Sequence, residues 1–340
     1  PDTSRRFAYL MPKTEGPCRF GTYNLAQKLI FESVGLGDRV RIWSPSDTDY
    51  FAEFPPGFAA VAFAGIAAGD LLTSALYDVR PVETEPGVAE AVHARYRDEL
   101  VALLGREAAR PLPRSTTILE VLGGRMFGIP DLLRRAAADF LAVRGDGDPP
   151  RVLVVGEIYL RLVPSANGFV VNELEKRGLR VSLAPASEWF EYVKEVARMV
   201  RGPLDVGVQI SYALQRRIAS RTYAQMAHAL DWPTRTTIPD AFEAAAPYLR
   251  RELRGEAVLT LGGPLKEWDD GHIDGVLSIG PLECMPSKIA ETQFFHAAQQ
   301  RGMPVLNLAR TGEPTDPEIL DNFAYEVGAF RKARASVPTG

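Results

Sequence analysis

The sequence predicts an α/β protein of parallel strands flanked by helices, arranged in two halves. Three observations carry that expectation. The stretch from Arg144 to Pro150 is crowded with glycine, aspartate and proline and reads as a linker. After it, apolar strand-like runs and helical patterns alternate to the end of the chain, the mark of a parallel sheet covered by helices. Before it, the chain opens on the same strand–helix–strand order. The break places an N-terminal α/β lobe over residues 1–145 and a C-terminal α/β lobe over residues 150–335, ordinary sizes for a chain of 340 residues.

In the first half, residues 7–11 form a strand, 20–34 a helix closed by Gly35 and Gly37, and 39–43 a second strand. Helical segments follow at 56–68, 70–77, 87–104 and 131–143. In the second half Val152-Leu153-Val154-Val155 is a continuous β-branched run ending at Gly156, as in a strand buried on both faces. A helix over 168–177 carries Phe169 and Leu174 on its buried stripe and stops at Gly178. Strand 179–183, helix 189–200 and helical stretches at 206–230 and 239–254 come next. Residues 257–261 fit a short strand or a helix end. Strand 275–279, helix 286–300, strand 304–308 and helix 317–331 close the chain.

The segment 58–76 is rich in alanine and glycine, and Asp70 interrupts it. Its uninterrupted part falls short of the roughly 20 residues that span a bilayer, so it reads as a buried core helix and no membrane span is expected. The formal net charge is −4, from 39 basic and 43 acidic residues, which excludes a polycationic nucleic-acid coat. No basic-then-apolar leader opens the chain, so the cytoplasm is the expected compartment. The chain begins on Pro1 rather than Met, which leaves room for an upstream segment.

The two cysteines occupy corresponding places. Cys18 follows Gly16-Pro17 between the first strand and the first helix. Cys284 follows Gly280-Pro281 between strand 275–279 and a helix that Pro286 suits at its first turn. Such turns lie at the carboxyl edge of parallel strands, where ligands bind. A thiol at a helix N-terminus gains thiolate character, the form that ligates metal. Two such turns facing each other across an interdomain cleft would hold a soft metal centre. The alternative is two small buried hydrophobes, and a thiol enzyme using Cys18 alone is a further reading.

Here the sequence resembles a known family. The stretches Phe7-Ala8-Tyr9-Leu10-Met11-Pro12 and Gly16-Pro17-Cys18-Arg19-Phe20-Gly21 are similar to proteins related to acyl-CoA dehydratase activases, themselves like the iron–sulfur subunit of 2-hydroxyacyl-CoA dehydratases. Val155-Gly156-Glu157-Ile158-Tyr159-Leu160-Arg161 with Asn167, Gly275-Val276-Leu277-Ser278-Ile279-Gly280-Pro281 with Glu283-Cys284-Met285-Pro286, and Pro304-Val305-Leu306-Asn307-Leu308 extend the likeness along nearly the whole chain. The resemblance implies two Rossmann-like lobes with a cleft between them and a [4Fe–4S]-type cluster in it, with Cys18 and Cys284 at ligand positions. It implies low-potential electron transfer, fed by an ATP-hydrolysing activase, to acyl-CoA-type substrates. Family members commonly have further cysteines, some of them upstream, and this chain has none. The remaining ligands would come from an upstream segment, a non-cysteine donor or a second copy; otherwise the chain is a cluster-free binding or scaffold subunit. No Gly-rich loop ending in Lys-Ser/Thr occurs, so ATP hydrolysis belongs to a partner. A homo- or hetero-oligomer is expected.

Four further residues complete the candidate site. Arg19 could offset a thiolate-bound centre or contact a CoA phosphate. Glu157, Arg161 and Asn167 sit just beyond strand 152–155, where Arg161 would hold an anionic group or the three would form a polar network under a cluster. The plainer alternative is a structural Glu–Arg pair with Asn167 as a helix cap. His93, His228, His272 and His296 show no ligand spacing, and no G-x-S-x-G elbow occurs. The pairs Arg216-Arg217 and Arg250-Arg251 read as exposed helix faces or a docking surface for an acidic partner.

Overall fold

The computed structural model describes residues 5–14, 18–46, 50–51, 53–55, 57–110, 112–203 and 205–336. In chain order the elements are β1 (Phe7–Leu10), α1 (Phe20–Ser33), β2 (Val40–Trp43), α2 (Phe58–Val79), α3 (Val88–Ala108), α4 (Arg114–Leu122), α5 (Ile129–Val143), β3 (Arg151–Gly156), α6 (Ile158–Leu162), α7 (Pro164–Asn167), α8 (Val170–Glu175), β4 (Arg180–Leu183), α9 (Ser187–Arg201), α10 (Val206–Leu230), α11 (Ile238–Ala245), α12 (Ala257–Asp269), β5 (Gly275–Pro281), α13 (Met285–Arg301), β6 (Val305–Arg310) and α14 (Pro317–Ala335). The chain is α/β with parallel sheets flanked by helices, as expected.

The larger sheet has four parallel strands in the order β4-β3-β5-β6. Residues 152–156 of β3 and 275–280 of β5 are buried without a break, which is why their sequences are apolar apart from Ser278. Alternate side chains feed opposite layers. Leu153, Val155 and Val276 join α11, α12 and α13 on one face. Val152, Val154, Leu277 and Ile279 join α8 and α14 on the other. Local chemistry sets the helix ends. Thr237 and Asp240 form a reciprocal capping box on α11, and Asp316 accepts from the Glu318 N–H ahead of α14.

The smaller sheet is the parallel pair β1-β2 joined by α1. It is open to solvent: all four residues of β1 are exposed and no α1 residue is buried.

Beside the large sheet lies a helical layer of α2, α3, α4 and α5, completed by α10 from beyond the linker. Arg144 pins the C-terminal end of α10 by donating to the Leu230 carbonyl at 2.9 Å. The helix α2 runs straight through Asp70, where two segments were expected, and is the one described helix long and apolar enough to cross a membrane. Its small-residue face is instead packed within this layer, with Ala64, Ala68 and Ala75 fully buried. Asp70 accepts hydrogen bonds from the Ala186 and Ser187 N–H groups at the start of α9.

Asp78, near the C-terminal end of α2, ties this layer to the large sheet. Its carboxylate meets Arg151 at 3.0 Å, Arg180 at 3.6 Å and Arg144 at 3.9 Å, and accepts from the Trp232 indole at 3.1 Å.

Two local expectations are corrected. Residues 257–261 begin the helix α12 and form no strand. Phe169 is not on a buried stripe; it is left-handed (φ 55°) and exposed ahead of α8, while Val170 and Leu174 do the packing.

Candidate thiol site at the sheet's switch point

Chain direction reverses in the middle of the large sheet. From β3 the chain moves outward to β4, and from β5 it moves outward the other way to β6. The loops leaving β3 and β5 therefore diverge, opening a crevice at their carboxyl ends, the usual ligand position in such sheets. Gly156 ends β3 there with φ 110°; a Cβ would sit 2.0 Å from the Ile279 carbonyl oxygen, so only glycine allows this approach.

The two candidate ligands come to this crevice from opposite ends of the chain. Cys284 is the N-cap residue of α13, immediately after β5. Before it, Glu283 adopts a left-handed φ of 61°, an uncommon conformation for a residue other than glycine. The Arg19 guanidinium donates to the Glu283 carbonyl at 2.8 Å and so holds the turn before α1 against the turn before α13. Cys18 lies beside Arg19 at the entry to α1. Both thiols are half-buried and unpaired. Glu15, Gly16 and Pro17 lie outside the described residues.

The electrostatics of Cys18 differ from the expectation. Burial pushes its thiol above the ordinary value. The Phe20 N–H pulls it down, and the neighbouring charges of Cys284, Glu256 and Glu157 push it up again. The helix terminus contributes one N–H, and desolvation outweighs it. These influences also put Cys18, Cys284, Glu157 and Glu256 in one electrostatic neighbourhood. Glu256, at the start of α12, is pushed to about 8 by burial and then by Glu157, against the pull of Arg161 and the Ile158 N–H. Both influences favour the protonated, uncharged forms of Cys18 and Glu256 in this neighbourhood.

The remaining predicted residues frame this crevice. Glu157 caps α6, accepting from the Tyr159 N–H at 3.1 Å and the Leu160 N–H at 2.9 Å. Arg161 is 4% exposed and pairs not with Glu157 but with Glu188 at 2.9 Å, while donating to the carbonyls of Gly156 and Pro185. Its Nε has no partner among the described residues. Asn167, the last residue of α7, is buried and bridges the Leu160 carbonyl to the Val170 N–H, the first of α8, whose N-cap position is held by Phe169. Of the basic pairs, Arg217 binds the last carbonyls of α4, and Arg216, Arg250 and Arg251 are exposed.

Comparison with family models, curated proteins and solved structures returns no match.

Among the described residues no group of three or more His, Cys, Asp or Glu side chains is arranged to hold a metal ion. By donor chemistry, the two thiols suit two corners of an iron–sulfur cluster, which takes up to four thiolates. Sequence reasoning missed Glu188 and Glu256. Each is a single carboxylate whose importance comes from burial beside Arg161 and Cys18, and no residue spacing signals that.

Proposed function

We propose that this chain is the iron–sulfur electron-transfer or reductase component of an ATP-dependent activase system acting on acyl-CoA-type substrates. In this reading its two sheets are two Rossmann-like lobes with the cluster in the cleft between them. The observation that supports it is the hydrogen bond from Arg19 to the Glu283 carbonyl, which ties the turn carrying Cys18 to the turn carrying Cys284 at the carboxyl edge of a parallel sheet. Cys18 and Cys284 would each ligate one iron, and Arg19 fixes the spacing of the two turns. The sequence holds no third cysteine, so other donors or another chain complete the set. When bound, such a cluster supplies single low-potential electrons. Half-burial of the thiols limits solvent access. The cytoplasm is the proposed compartment, and ATP hydrolysis is assigned to a partner.

The test is anaerobic reconstitution of the full chain with iron and sulfide. The expected result is bound iron and sulfide with broad absorption around 400 nm, lost in both Cys18→Ser and Cys284→Ser. Iron retained equally by both variants would overturn the reading. The count of two thiols favours one alternative, a cluster-free binding or scaffold subunit of the same complex. It predicts a colourless protein in which both substitutions leave partner binding intact.

A further inference from the structure

A cavity of about 200 Å³ lies away from the thiols, on the face of the large sheet turned toward the helical layer. Its inner wall is apolar: Leu71 and Ala219 come from the helical core, and Leu153, Val155, Ala241 and Leu259 from the sheet core, all at most 8% exposed. The half-buried side chains of Tyr223, Trp232, Glu267 and His272 line its other end.

Every charged group of the wall is already engaged. Glu188 pairs with Arg161, Asp78 with Arg151 and Arg235 with Glu191. Glu267 holds His272 at 2.9 Å, and the Asp70 carboxylate accepts two backbone N–H groups. A charged guest would lose its hydration without gaining a counter-charge. An apolar body of ring size suits the wall, since benzene occupies a cavity of about 150 Å³. Glu267 bonds the Nδ1 of His272 and accepts from the Thr236 hydroxyl. That leaves the imidazole Nε2, an acceptor when Nδ1 carries the proton, and the Ser182 hydroxyl as wall groups able to bond a guest.

We infer that this cavity is a binding site for a small uncharged molecule with an apolar ring-sized body and one hydroxyl group, which donates to His272. The inference is independent of the thiol site, and its test needs no iron.

The test is calorimetric titration of the full chain with phenol, toluene and benzoate. Phenol and toluene are expected to bind saturably at one site, phenol about fivefold tighter through one hydrogen bond, and benzoate is expected not to bind. Gly263 lines the cavity within α12, and a Cβ there meets nothing within 4 Å. Gly263→Leu is therefore expected to abolish binding of both neutral probes without lowering the melting temperature. Ala219→Phe, from the opposite wall, is the second filling variant. His272→Ala is expected to reduce phenol to the affinity of toluene and leave toluene unchanged. The proposal is overturned if neither neutral probe saturates, if binding survives both filling variants, or if benzoate binds as tightly as phenol.

Discussion

Replacing Asp78 with alanine tests how the helical layer is locked to the large sheet. The Asp78 side chain is 5% exposed, and so is almost wholly removed from water together with Arg180 at 2%. Removing it leaves the guanidinium groups of Arg151, Arg180 and Arg144 facing one another, and leaves the Trp232 indole N–H without its acceptor. Breaking a buried ion pair by deleting one partner costs about 3–5 kcal/mol. Unfolding entropy near 2.1 cal/mol/K per residue gives about 0.7 kcal/mol/K for a chain of this length, so the melting temperature should fall by about 4–7 °C. Asp78→Asn, which keeps an acceptor for Trp232, should lose less. The assay is thermal unfolding at neutral pH, followed by circular dichroism and calorimetry. A fall of less than about 1 °C for Asp78→Ala would refute the claim that this carboxylate joins the two layers.

Glu256 gives a pH prediction. Its carboxyl holds a proton up to about 8 in the fold but ionises near 4.5 in the unfolded chain. Its contribution is complete below the unfolded value and is lost as pH rises from there to about 8. Urea unfolding at pH 5 and pH 8 should show this decline, and Glu256→Gln should flatten it; an unchanged slope in the variant would count against the assignment. The adjacent glycines of α12 should respond in opposite directions. A Cβ on Gly262 would lie 1.9 Å from the Ala241 carbonyl oxygen, whereas one on Gly263 meets nothing within 4 Å. Gly262→Ala should destabilise by about 2 kcal/mol or more, and Gly263→Ala should stabilise by about 0.5–1 kcal/mol, both read from urea midpoints. Cys18 should alkylate more slowly with iodoacetamide at pH 7 than glutathione does, measured by mass spectrometry in a Cys284→Ala background, because burial holds its thiol protonated.

Much of the fold was legible where one residue pattern sufficed. The unbroken run at 152–155 and the glycine-bounded strand at 275–279 announced a doubly covered parallel sheet, and α10 and α13 lie close to their expected positions. Errors arose where tertiary surroundings decide. Asp70 looked like a helix interruption, yet it satisfies the N–H groups that begin α9, so α2 runs on unbroken. The helix α4, Arg114–Leu122, was not foreseen, because its threonines, isoleucine and valine carry weak helical preference. The shared strand-to-helix placement of Cys18 and Cys284 was visible in the sequence. That Arg19 bridges their turns, and that Arg161 pairs with Glu188, depends on distances no local pattern encodes.

The helix α10 gives the interior of the first half a wall from the second. Ile218, Ala219, Met226 and Leu230 fill the same core as Phe63, Leu72 and Phe140, although the large sheet's first two strands intervene along the chain. A protease nick between Arg144 and Pro150 would therefore leave two fragments that stay clasped. Made separately, each would display raw hydrocarbon where the other belongs, and only mixing them would restore a sealed molecule.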